Sequence, residues 1–132
     1  MNERIREFWG QFGIEGDSLK NILRKLKNPE IKNLSNKEKI SFIKKIYMEK
    51  LNNDKEIFNV KQKIYNTAIL KLRVENSKLM KRKTEEKLFD CEDKIQKYED
   101  IIEPIKKEIL LLSNSINKNQ SIVNKLNDFL LK

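Results

Sequence analysis

LFDCEDKIQKYEDIIEPIKKEILLLSNSINKNQSIVNKLNDFL, residues 88–130, decides the fold. Leu88, Cys91, Ile95, Tyr98, Ile102, Ile105 and Ile109 are followed by Leu112, Ile116, Asn119, Val123, Leu126 and Leu130. The steps alternate between three and four, which is the heptad spacing of a helix burying one narrow stripe. Upstream, Tyr65, Ala68, Leu72 and Leu79 hold a related register that goes out of phase across KRKTEEK, residues 81–87. A coiled coil over 54–132 follows from these two stretches.

The breakers are distributed accordingly. All three glycines (Gly10, Gly13, Gly16) lie in the first sixteen residues, and proline occurs only at 29 and 104. Glycine and proline are the strongest interrupters of helices, so their scarcity predicts helix almost throughout. No segment alternates with period two between turn residues, so no strand is expected. Asp17-Ser18 marks a helix start before Leu19, Ile22, Leu23 and Leu26, and Asn28-Pro29 marks its end. Ser35 with Glu38 three positions on reads as a capping box. It opens a helix with Ile40, Ile43, Tyr47 and Leu51 on one face, widened by Phe42 and Ile46. Asn53 with Glu56 repeats the start signature, predicting a new long helix that runs to about Ile101. Pro104 suits the first turn of a further helix better than an interior, and SNSINKNQS (113–121) is rich in residues that compete for backbone groups. A bend near 101–104, with a second break near 113–121, is therefore expected. The rival is a continuous helix zipped onto a second copy, a homodimer through the 88–130 seam.

The expected architecture is all-α. A small N-terminal helical head (1–52) precedes a long helix and coiled-coil hairpin or arm (53–132). Helical hairpins of this general shape occur in secretion chaperones, phage assembly factors and small inhibitors made by mobile elements. Shape alone does not assign a function.

Composition narrows the chemistry. There are 29 basic and 20 acidic residues among 132, one Cys and no His. Without His there is neither an imidazole base nor an imidazole metal ligand. A single Cys allows no intrachain disulfide, and Cys91 on the apolar seam, beside Asp90, Glu92 and Asp93, reads as core. Asp90, Glu92, Asp93, Glu99, Asp100 and Glu103 form an acidic patch without the spacing of a calcium loop. No run approaches the roughly 20 apolar residues of a membrane span, and MNERIREFWG lacks the apolar core of a signal peptide. No cofactor, no metal and no catalytic group are expected, and the product is read as a cytoplasmic non-enzyme.

Two features offer surfaces to partners. REFWGQFGIEG contains the only Trp, and Phe8, Trp9 and Phe12 are candidate interface anchors, or else the core of the head. Its acidic residues, Glu3, Glu7, Glu15 and Asp17, offset Arg4 and Arg6, which argues against a membrane surface. The second feature is charge. Residues 55–87 carry 10 basic and 4 acidic side chains, against 12 and 8 in 1–54 and 7 and 8 in 88–132. The densest part holds Lys71, Arg73, Lys78, Lys81, Arg82, Lys83 and Lys87, and a smaller face holds Lys20, Arg24, Lys25 and Lys27. Such clusters neutralise phosphates in a salt-sensitive manner. They equally describe a solvated helix face, and only five of the basic residues are Arg, the residue suited to bidentate recognition. The sequence therefore predicts a non-enzymatic interaction protein of adaptor, chaperone or inhibitor type. Its partner is a protein or nucleoprotein, met through the aromatic segment and the basic face. The alternative is a nucleic-acid-binding protein that contacts the phosphate backbone non-specifically.

Overall fold

The computed structural model describes the backbone of residues 2–81 and 85–132, and side chains over 2–79 and 91–132. It is all-α, with five helices among the described residues. They are α1 (Glu3–Gly10), α2 (Gly16–Leu26), α3 (Pro29–Lys32), α4 (Asn36–Lys81) and α5 (Glu85–Leu130).

Local chemistry sets the first boundaries. Asn2 Oδ1 accepts the Arg4 N–H at 2.9 Å and starts α1. The chain then turns through Gly13, whose φ of 84° lies in the left-handed region open to glycine. Helix α2 begins earlier than Asp17-Ser18 suggests, its cap lying two residues before Asp17. Its cap position is Glu15, which makes no side-chain capping bond, while Asp17 sits in the first turn, where its charge suits the helix dipole. Asn28 caps α3 by accepting the Glu30 N–H at 3.0 Å, with Pro29 in the first turn. Ser35 Oγ accepts the Glu38 N–H at 3.2 Å, and its hydroxyl donates to Glu38 Oε1 at 3.0 Å. Half of the capping box is thus formed, with the carboxylate returning to the hydroxyl rather than to a backbone N–H.

Three expected interruptions are absent. Helix α4 runs through Asn53 without a break. Cap-type residues begin a helix only where the backbone leaves the α region, and here Tyr47, Leu51, Phe58, Tyr65 and Ala68 keep one face buried or half-buried across the position. Helix α5 likewise continues through Pro104 and through 113–121. Proline removes one N–H, which leaves the Asp100 carbonyl unbonded within the helix. Both residues are exposed, so water can satisfy that oxygen, and Ile102 and Ile105 stay in phase on the inner face. At 113–121 the burial of Ile122 and Val123 just beyond holds the polar run helical. Pro104 and 113–121 therefore lie inside one helix, and neither marks the expected bend.

Two compact units result, residues 1–53 with 115–132, and residues 54–114. Residues 115–132, expected to belong to the arm, are part of the first unit. Its core joins Trp9, Phe12, Ile14, Leu19 and Ile22 to Ile40, Ile43, Tyr47 and Leu51, and to Ile122, Val123 and Leu126. Phe129 lies edge-on to Phe8 and Phe12, with ring centroids 5.9 and 5.5 Å away.

The second unit is an antiparallel pair formed by α4 and α5. Lys61 bonds Glu108 at 2.8 Å, while residues further along α4 (Ala68, Lys71) meet earlier ones on α5 (Tyr98, Ile101). Only Ala68, Glu75, Cys91 and Ile102 are buried among its described side chains. The heptad positions Cys91, Ile102, Val123 and Leu126 are buried within the single chain. The other described heptad positions, Ile95, Tyr98, Ile105, Ile109, Leu112, Ile116, Asn119 and Leu130, are half-buried.

Candidate docking surface

The N-terminal aromatics are spent on the core. Trp9 and Phe12 are 5% and 2% exposed, and Phe8 packs against both with ring centroids 5.1 and 5.6 Å away. Trp9 and Phe12, expected as anchors or else as core, lie in the core of the head, and Phe8 is half-buried against it.

The basic residues separate into groups. Lys20, Arg24, Lys25 and Lys27 are exposed on and just after α2, in the first unit. Lys71, Arg73 and Lys78 are exposed on α4, in the second. Lys71 and Lys78 are seven apart and share a face, whereas Arg73 is turned well away from them by helical spacing. Lys78 bonds Glu75 Oε1 at 3.3 Å. The predicted residues Lys81, Arg82, Lys83 and Lys87 lie outside the described side chains.

A feature that periodicity did not single out stands beside Lys71. On α4 the inner face runs Phe58, Lys61, Tyr65, Ala68, Leu72 and Glu75. One position before each of these lie Ile57, Val60, Ile64, Thr67, Lys71 and Val74, a second stripe that faces solvent. Ile57, Val60, Ile64 and Val74 are 41–57% exposed. Ile101 precedes Ile102 on α5 in the same way and comes to the same side. Ile64, Ala68, Tyr98 and Ile101 floor an open groove of about 290 Å³, flanked by Lys63 and Lys71. Neither lysine is paired with a carboxylate among the described residues, and no Asp or Glu lines the groove. The signal was present in the sequence as IFNVKQKIY (57–65), where apolar residues fill two adjacent stripes instead of one.

A second groove, of about 510 Å³, contains Phe58, Tyr65, Ile109 and Leu110, flanked by Glu103 as well as Lys106 and Lys107. Its charges are mixed. Glu75 is buried on the inner face, with Oε2 lacking a hydrogen-bond partner among the described residues. Among the described residues no three metal-capable side chains converge, and no helix is long and apolar enough to cross a membrane. No protein-family model, curated protein or solved structure matches the chain.

Proposed function

We propose that this chain is a non-enzymatic interaction protein, of adaptor, chaperone or inhibitor type, that holds a protein partner on the lysine-flanked side of its 54–114 unit. One observation carries the reading: Ile57, Val60, Ile64 and Ile101 are exposed beside Lys63 and Lys71. A pair of helices buries only a facing seam. Apolar side chains clustered outside it gain by being covered, at about 25 cal/mol for each Å² removed from water. A phosphate-binding face has no use for an isoleucine floor, which sets protein above nucleic acid as the partner.

The test places a photo-crosslinking residue at position 63 in the cell that makes the chain. Recovered species are compared between the parent, Ile64→Glu and Arg24→Glu. A protein adduct lost with Ile64→Glu and kept with Arg24→Glu supports the reading. An adduct indifferent to Ile64→Glu, or a salt-sensitive nucleic-acid adduct, overturns it.

A further inference from the structure

We infer that the groove between Ile64 and Ile101 receives an acidic amphipathic helix from the partner, with its carboxylates reaching Lys63 and Lys71. This rests on the interaction reading above and adds the chemistry of what is bound.

The occupant's shape follows from the groove's. Two antiparallel helices present a furrow that a third helix fills by laying its ridge of side chains between them. No sheet edge exists among the described residues to accept an extended peptide. The open stripe from Ile57 to Lys71 covers four turns of α4, about 21 Å at 1.5 Å per residue. A partner helix of about 14 residues matches that length.

Its charge follows from the rim. Lys63 and Lys71 are eight residues apart on α4, about 12 Å along the axis. Both are exposed without a carboxylate partner among the described residues, and the lining between them carries no charge, being Ile64, Ala68 and Ile101 with the hydroxyl-bearing Thr67 and Tyr98. Carboxylates about two turns apart on the incoming helix complement them, and an apolar stripe between those carboxylates covers Ile64 and Ile101. A second copy of this chain suits the site poorly. An isologous pair on this face sets Lys63 and Lys71 against their own counterparts. The mixed rim of the second groove selects no sign of charge.

The experiment uses the full chain and three labelled peptides of about 16 residues, each able to form a four-turn helix. One has an apolar stripe at i, i+3, i+4 and i+7 with Glu flanks. The second keeps the stripe with Lys flanks, and the third keeps the Glu flanks with Ser in place of the stripe. Binding is followed by fluorescence anisotropy at two salt concentrations, with methyl NMR on the isoleucines and light scattering on the free chain.

The Glu-flanked stripe is expected to bind at least tenfold more tightly than either control and to shift the Ile64 and Ile101 methyls. Lys63→Glu with Lys71→Glu reverses the preference between the Glu and Lys flanks, and circular dichroism confirms that this surface double variant remains folded. Absence of binding by all three peptides overturns the inference, as does equal binding of the Glu-flanked and Lys-flanked peptides. Equal binding of the Ser control, or self-association that shifts the same methyls, does so too. Should the peptides fail while Ile64→Glu still loses the crosslinked partner, only the acidic helix is rejected. Should Ile64→Glu keep its adduct, the interaction reading itself falls.

Discussion

The Lys44 ammonium donates a 2.8 Å hydrogen bond to the Asn127 side-chain oxygen, joining α4 to the end of α5 across 83 residues of sequence. The preceding residue, Leu126, is fully buried in the core that also holds Ile40, Ile43 and Trp9. Leu126→Ala is expected to destabilise the first unit by about 2–5 kcal/mol, the usual cost of deleting a buried leucine side chain. Asn127→Ala removes one half-buried bond and costs about 1 kcal/mol. Urea titration followed by Trp9 fluorescence compares the two. Equal effects would contradict a core that depends on α5.

The glycines near the N-terminus separate by backbone angle. Gly13 has φ at 84°, and a Cβ placed there meets Ile122 at an ordinary 3.7 Å. Space is therefore sufficient, and the cost of Gly13→Ala is conformational, about 1–2 kcal/mol. Gly10 closes α1 without a positive φ. Gly10→Ala should be neutral or stabilising by up to about 1 kcal/mol. Thermal unfolding of both variants should place them on opposite sides of the parent, or Gly13 alone below it.

Glu75 occupies an inner-face position with one oxygen bonded to Lys78 and the other without a partner among the described residues. An unsatisfied buried polar atom costs about 1–3 kcal/mol. Glu75→Leu is expected to raise stability by a similar amount, read as a higher urea midpoint with unchanged helicity. A fall in the midpoint would show that the carboxylate is held by groups beyond Lys78.

Pro104 costs α5 a backbone hydrogen bond on its exposed side. Pro104→Ala should leave the helical signal nearly unchanged and increase stability by about 1–3 kcal/mol, part of the interior penalty being offset by the freer unfolded chain. A large change in helical content would mean that proline directs the path of the chain.

Burial changes the titration of Tyr47. Desolvation raises its hydroxyl above the ordinary 10.0, against a smaller lowering by the Ser18 hydrogen bond. The folded state then holds a proton that the unfolded state releases first, so stability falls as pH climbs past about 10 and continues to fall until the folded value is passed. Tyr47→Phe should flatten this alkaline limb, measured as urea midpoints between pH 8 and 11, at the cost of the Ser18 bond.

Much of this fold could be read from spacing. The register that contains Cys91, Ile102, Val123 and Leu126 identifies four buried positions, and Ser35 with Glu38 locates the start of α4. What spacing misjudged were the interruptions. Asn53, Pro104 and 113–121 carry genuine local preferences against helix, yet each is worth a few kcal/mol at most, less than the burial of the apolar side chains on either side. The docking surface was harder to see. A heptad search finds the one stripe that packs inward, and Ile57, Val60 and Ile64 become conspicuous only when the seam beside them is shown to be already filled. For Trp9 and Phe12 spacing left two readings open, anchor or core, since a cluster of aromatics is equally what a small core requires, and both side chains are buried.

The contact of Phe8 and Phe12 with Phe129 has a consequence for how the chain is made. At about 5–20 residues per second, the two N-terminal rings emerge roughly 6–24 s before their partner exists. Throughout that interval they are exposed apolar side chains on an unfinished unit. A product stopped anywhere before residue 115 lacks Ile122, Val123, Leu126 and Phe129 of that core, so truncated translation products should be recognised as misfolded even though most of their helices are encoded.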